Sequence, residues 1–154
     1  MIVYSFFVPG VPRPQPRPRF TRNGHVYNPG TVKEWKETIQ TYFLLNRKPQ
    51  IQGAISLRVH FHMPKPKRLA KDTRIIPHTD RPDTDNLLKA LLDSATDAGV
   101  WKDDSQVYLI EASKCYTSGQ TGVYISIGVS AGDDSPDNVV CKLPSQVEQA
   151  NPCK

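Results

Sequence analysis

Two proline-rich segments constrain this chain more than any other feature, because they fix where helices and central strands cannot form. Residues 11–25 read VPRPQPRPRFTRNGH, with four prolines and four arginines, and residues 64–82 hold prolines at 64, 66, 77 and 82. Proline lacks a backbone N–H and clashes with the preceding turn of a helix, so it is excluded from helix interiors and central strands. Both segments are therefore predicted to be exposed, extended, basic loops.

The segments between these loops carry clear hydrophobic periodicity. Residues 55–63 alternate apolar and polar side chains, which predicts a strand with one covered face, and residues 2–8 form a second candidate strand. Apolar residues at spacings of three and four predict two amphipathic helices, over residues 31–46 and 84–98, the second ending at Gly99.

Two further strands are predicted near the end of the periodic region. Gln106 to Tyr116 and Val123 to Val129 flank a short polar, glycine-containing stretch, which is the pattern of a β-hairpin. The resulting order of strand, helix, strand, helix, strand, strand predicts an α/β (α+β) fold. We expect a small mixed sheet of about four strands with two main helices packed on it.

Length and composition favour one domain. The chain has 154 residues with 38% apolar content, enough for a single hydrophobic core. We expect that domain to span residues 1–130, and residues 131–154, which are polar and aperiodic, to form a disordered tail. No apolar run is long enough to cross a membrane, and three widely spaced cysteines suggest neither disulfides nor zinc, so a cytoplasmic location is expected.

Charge is segregated along the chain. Residues 1–82 contain 15 Lys and Arg against 4 Asp and Glu, whereas residues 83–111 contain 2 against 7. A basic body around an acidic island suits a phosphodiesterase, because cations bind the polyanion while carboxylates hold a catalytic metal. A solvated acidic helix face in an ordinary basic protein would give the same pattern, so charge alone does not decide between them.

The acidic island has a distinctive order of residues. Asp83 and Asp85 flank the predicted start of the second helix, Lys89 lies one turn beyond Asp85, and Asp103 and Asp104 follow the helix. Mg²⁺ prefers oxygen ligands and keeps several waters, so two or three convergent carboxylates suffice to bind it at a phosphate. A lysine nearby would then stabilise charge on the phosphate oxygens.

An ordinary structural role would explain parts of this pattern. An aspartate at a helix start commonly accepts hydrogen bonds from the free backbone N–H groups, so Asp83 or Asp85 would serve as a cap. Trp101, in the turn before the second acidic pair, is predicted to be a core residue rather than a platform for a DNA base.

The stretch D-x-D-N-L-x-K from Asp83 to Lys89, followed by W-x-D-D-S-Q-V from Trp101, closely resembles the RusA family of Holliday junction resolvases. The front segment PRPQPRPRFTRNGHVYNP is similar to the arginine-rich loop of the family's phage and Gram-positive members. The resemblance covers roughly residues 2–129. A RusA-like fold and a bacterial or phage origin are therefore expected.

The resemblance implies a function and assigns roles. It implies a Mg²⁺-dependent endodeoxyribonuclease, with Mn²⁺ expected to substitute, that acts as a homodimer and nicks opposed strands of a four-way junction symmetrically. The family's catalytic, metal-binding aspartates match Asp83, Asp85 and Asp104, and its important lysine matches Lys89. Asp103 occupies the neighbouring position. Two alternatives stay open: a metal nuclease acting on flaps or forks, and a basic recombination accessory module without catalysis.

Basic residues on the two proline-rich loops are the candidate DNA contacts. Proline stiffening lowers the entropy that a loop loses when it binds a DNA backbone. The candidates are Arg13, Arg17, Arg19, Arg22, Lys67, Arg68 and Arg81.

The position of Asp104 poses a distance problem for a three-aspartate site. A helix over residues 84–98 would be about 20 Å long, whereas a metal's ligand shell spans only about 4–5 Å. Asp104 therefore either folds back along the helix within one chain or comes from the partner subunit of a dimer.

Replacing Arg17 and Arg19 together with alanine should weaken binding to branched DNA. Two lost phosphate contacts should make the slope of log affinity against log salt shallower by up to about two units. Titrating a labelled junction at several salt concentrations measures the slope. An unchanged slope would mean that the two arginines only face solvent.

Overall fold

The computed structural model describes residues 2–16, 30–69 and 76–130. The regular elements are β1 (Ile2–Pro9), α1 (Gly30–Leu45), β2 (Ile55–Pro64), β3 (Ile76–Pro77), α2 (Thr84–Asp97), the 3-10 turn η1 (Asp104–Gln106), β4 (Val107–Thr117) and β5 (Gly122–Val129). The predicted α+β fold is confirmed: one mixed sheet carries two helices. The sheet has five strands rather than four, because the two-residue β3 is too short to give a periodic pattern.

The strands pair in the order β1-β5-β2-β4-β3, and among these described strands only β2 and β4 run parallel. The predicted hairpin between the last two strands is wrong, because β2 lies between β4 and β5. The short polar loop after β4 crosses the end of β2 instead of turning back on its own strand. Two strands joined by a short loop have the same sequence pattern whether or not a third strand separates them.

The core forms where both helices cover one face of the sheet. In β2 the five apolar side chains at alternate positions are all buried, as the alternation predicted. In α1 the buried residues are Val32, Trp35, Ile39 and Phe43. In α2 they are Leu87, Ala90, Leu91, Ser94 and Ala95, whereas Leu88 and Leu92 lie at the margin of the core and are only partly buried.

The chain reverses directly after α2. Gly99 has a φ of 73°, a left-handed conformation that glycine adopts without steric cost. Trp101 is then fully buried, its indole N–H donates to Thr96 Oγ1 at 2.8 Å, and its backbone pairs with Ile51. The prediction that Trp101 belongs to the core is confirmed, and its burial fixes the path of the chain toward β4.

Asp103 holds the turn that follows. Its carboxylate accepts from the Ser105 backbone N–H at 2.8 Å, while the Gln106 side chain accepts from the Asp103 N–H at 3.2 Å, which together form a capping box. Hydrogen bonds from Ser105 lower the pKa of the Asp103 carboxyl below its ordinary value. Asp103 therefore caps η1.

No helix in the described ranges is long and apolar enough to cross a membrane. The proposed tail, residues 131–154, lies outside the described residues, as do Arg17, Arg19 and Arg22.

Gly122→Ala should destabilise the fold where β5 begins. A Cβ at this position would lie 2.2 Å from the Val8 backbone oxygen and 2.5 Å from a Phe7 ring carbon, so β1 and β5 must separate locally. We expect a loss of about 1–3 kcal/mol in the free energy of unfolding, measured by denaturant titration. Gly119→Ala is the matched control, because its Cβ would meet only Thr117 Oγ1 at 3.6 Å. Equal stability of the two variants would contradict this packing.

The cap at Asp103 should make a pH-dependent contribution to stability. Because its folded-state pKa is lowered, the contribution is present above the unfolded-state value near pH 4 and is lost as pH falls through the folded-state pKa. The melting temperature of the protein should therefore exceed that of Asp103→Ala at neutral pH, and the gap should close in acid. Asp103→Asn, which keeps an acceptor oxygen, should show a smaller gap. A gap that is the same at every pH would rule out a pH-dependent contribution from this cap.

Candidate active site

Asp83 and Asp85 lie together at the start of α2 with their carboxylates exposed. Asp83 occupies the N-cap position with extended backbone (φ −71°, ψ 146°), but its side chain makes no capping hydrogen bond. The alternative in which Asp83 serves as a side-chain cap is therefore wrong. Within the described ranges, neither carboxylate has a hydrogen bond or an ion pair.

Asp104 lies beside α2 and contacts Lys89. Lys89 Nζ is 2.8 Å from Asp93 Oδ1 and 3.5 Å from Asp104 Oδ2. Asp104 folds back along α2 within the chain, because burial of Trp101 reverses the chain, and it reaches the lysine that follows Asp85 by one helical turn. It does not reach Asp83 and Asp85, so supply of Asp104 from the partner subunit of a dimer stays a prediction.

Lys89 is fixed as a cation by its surroundings. The hydrogen bond to Asp93 raises the pKa of the Lys89 ammonium above its ordinary value, and Asp104 raises it further. Lys36 of α1 approaches Asp93 from the other side at 3.8 Å, so Asp93 links both helices to Lys89. Sequence reasoning missed Asp93, although its spacing of four residues from Lys89 was a usable signal.

The three predicted aspartates do not form one compact group. Across residues 2–16, 30–69 and 76–130, no three His, Cys, Asp or Glu side chains lie close enough together to hold a metal ion. Asp83 and Asp85 nevertheless fit a hard divalent cation in donor chemistry, because both offer carboxylate oxygens that no described residue engages. Asp104 is engaged by Lys89.

A groove of about 850 Å³ leads to the start of α2. Both proline-rich segments contribute to its walls, and Arg13, Arg81, Asp83 and Asn86 all line it. The first segment is tied to α2, because the Gln15 N–H donates to the Asn86 carbonyl at 2.9 Å. The groove therefore combines cationic side chains with a free carboxylate, as a site for a phosphodiester requires.

The basic residues predicted to contact DNA differ in whether they are already paired within the protein. Arg13 and Arg81 are exposed and line the groove, and Lys67 is exposed on the second loop. Arg68 instead forms an ion pair with Asp80, so its charge is partly neutralised within the protein.

The segment that leads into Asp83 is anchored to β4. Lys114 Nζ donates to the carbonyls of Asp80 and Pro82, and the Tyr116 hydroxyl donates to the Asp80 carboxylate. The hydrogen bond from Tyr116 lowers the pKa of Asp80, and the same bond raises the pKa of Tyr116. Sequence reasoning missed both residues, because more than 30 positions separate the partners in each contact.

The sequence is similar to those of known proteins. The sequence model of a family described as endodeoxyribonuclease RusA matches residues 9–128. A Bacillus subtilis (strain 168) protein, named as uncharacterized protein YqaN, is 32% identical over 125 residues, which cover 73% of this chain and 87% of that protein. The family match contains both ends of α2, the groove and β4. This chain belongs to the RusA endodeoxyribonuclease family.

Proposed function

We propose that this chain is a Mg²⁺-dependent endonuclease that resolves four-way DNA junctions, in recombination and repair, in the cytoplasm of a bacterium or of a phage-infected cell. The observation that carries the proposal is the pair of unengaged carboxylates, Asp83 and Asp85, at the start of α2, where Asp83 lines a groove together with Arg13 and Arg81. The family match supports phosphodiester hydrolysis of DNA.

The acidic side chains would bind the catalytic metal. Asp83 and Asp85 would hold the metal. Asp104, which within the chain contacts Lys89 and not this pair, would be the third carboxylate either by leaving Lys89 or as the contribution of the partner subunit in a dimer. When bound, Mg²⁺ supplies an activated water and stabilises charge that develops on the phosphate. Mn²⁺ should substitute, because it also accepts carboxylate and water oxygens.

The basic side chains would contact different parts of the DNA. Lys89, an ammonium held by Asp93 and Asp104, would lie near the scissile phosphate and stabilise its negative charge. Arg13 and Arg81 would contact the DNA backbone along the groove, joined by Lys67 and the arginines at 17, 19 and 22. Arg68 would join them only by exchanging its partner Asp80 for phosphate.

A homodimer would account for paired cuts. A four-way junction presents two equivalent strands related by a twofold axis, and a symmetric dimer presents two identical sites with the same relation. Each site would then nick one of the opposed strands.

A substrate panel tests the proposal. Four-way junction, fork, flap and duplex of matched sequence should be incubated with the protein and Mg²⁺, and the products mapped on both strands. We expect paired, symmetric nicks in the junction and little cutting of the duplex. Preferred cutting of forks or flaps would favour the other nuclease alternative. No cutting, together with a melting temperature that Mg²⁺ leaves unchanged, would favour the accessory module.

Asp85→Asn should separate binding from cleavage. Loss of a metal-binding charge should lower the rate of junction cleavage by more than about 100-fold, as removal of a transition-state interaction typically does. Junction affinity should stay equal or rise, because the change removes repulsion of phosphate but no cationic contact. Single-turnover cleavage and gel-shift titration measure the two effects.

Asp97→Asn is the matched control for this variant. Asp97 is another exposed aspartate of α2, at the opposite end of the helix, where it accepts a long hydrogen bond of 3.4 Å from Gln40. The Asp97→Asn variant should cleave at the rate of the unmodified protein. Loss of junction binding in Asp85→Asn would instead show that Asp85 has a structural role.

A further inference from the structure

Lys114 is placed differently from the other basic residues near the groove. It lies on β4, in register with the fully buried Phe61 of β2, so its side chain leaves the sheet on the face that carries the helices. It is half-buried, and its ammonium donates to two backbone carbonyls, Asp80 O at 2.8 Å and Pro82 O at 2.7 Å. Two of its three donors therefore serve the protein backbone.

The two carbonyls that Lys114 contacts belong to the segment that leads into Asp83. They lie on either side of Arg81, and Pro82 directly precedes Asp83. Hydrogen bonds from a charged donor are stronger than neutral ones, so this contact restrains the backbone more than an amide donor would. The peptide that leads into Asp83 is thereby tied to the sheet rather than to its own loop.

A second anchor from the same strand acts on the same segment. Tyr116, two residues after Lys114 and on the same face, is buried and donates its hydroxyl to the Asp80 carboxylate. The His78 N–H donates to the Lys114 carbonyl at 3.1 Å, which continues the pairing of β3 with β4. The segment from 78 to 82 is therefore held at three points by residues 114 and 116.

Asp83 itself has no side-chain partner of this kind. Its carboxylate makes no capping bond, so its direction depends on the backbone that carries it. A metal-binding group needs placement to within a fraction of an ångström, and a displacement of about 1 Å can cost about 100-fold in rate.

We infer that Lys114 is a positioning residue for Asp83: it clamps the carbonyls of Asp80 and Pro82 so that the Asp83 carboxylate stays at the end of the groove. The inference rests on the proposed function, since it assumes that Asp83 binds metal. It gives β4, which lies outside the acidic motif, a role in positioning the site.

Lys114→Met tests the inference, because methionine fills similar space without a donor. We expect kcat for junction cleavage to fall by about 10- to 100-fold, with KM and junction affinity close to those of the unmodified protein. Mn²⁺ binding to the protein alone, measured by EPR without DNA, should weaken by about 10- to 100-fold, as loss of outer-shell support typically does. Lys114→Arg, which keeps a charged donor, should recover most of both values.

Lys33→Met is the matched control for loss of one positive charge. Lys33 is exposed on α1, and among the described residues it forms only a long ion pair with Glu37, so kcat and Mn²⁺ binding should not change. If Lys114→Met raises KM and weakens junction binding while kcat is unchanged, Lys114 contacts DNA phosphate and the inference is overturned. Unchanged kcat and Mn²⁺ binding would overturn it as well.

Lys114→Gln keeps the inference testable if Lys114→Met does not fold. Its side chain stays polar but is shorter and uncharged, so most of the clamp should be lost, and kcat and Mn²⁺ affinity should fall in the same direction. A folded Lys114→Gln with unchanged values would overturn the inference. Failure of the proposed function gives a different result, because the unmodified protein itself would then bind no Mn²⁺ and cut no branched DNA.

Discussion

The parallel pairing of β2 with β4 is the constraint on which the site depends. Parallel neighbours cannot be joined by a turn, so the chain must cross from one end of the sheet to the other, and α2 makes that crossing. Asp83 therefore lies near the end where β2 finishes, and Asp104 lies near the start of β4. With 14 residues, α2 separates the two ends by about 21 Å, which is why Asp104 reaches Lys89 rather than Asp83.

The acidic side chains of residues 83–111 differ in whether they have a partner within the protein. Residues 83–111 contain seven acidic side chains, of which five have partners: Asp93 with Lys36 and Lys89, Asp97 with Gln40, Asp103 with Ser105, Asp104 with Lys89, and Glu111 with Arg58. Asp83 and Asp85 have none among the described residues. A carboxylate left exposed without a partner contributes little to stability, so these two are the carboxylates to which the proposed function assigns the metal.

The basic side chains are divided in a similar way. Arg68 pairs with Asp80, and Lys114 donates to backbone carbonyls, so both support the approach to Asp83. Arg13 and Arg81 face the groove from the two proline-rich segments. In the proposed function, the exposed cations would bind the polyanion, whereas the neutralised and clamped cations would fix the geometry of the site. Binding and positioning would thus use different basic residues.

The sequence by itself determined both main helices, the long strands, the segregation of charge and the order of Asp83, Asp85 and Lys89, because each depends on periodicity or spacing within a short window. It did not separate the unengaged aspartates from those with partners in the protein, and it predicted a hairpin where β2 separates β4 from β5. Only the tertiary structure decided that order, the contact of Lys89 with Asp104 and the clamp at Lys114. These depend on which strand edges pair and which side chains are buried, and such contacts join residues up to 126 positions apart that no local pattern relates.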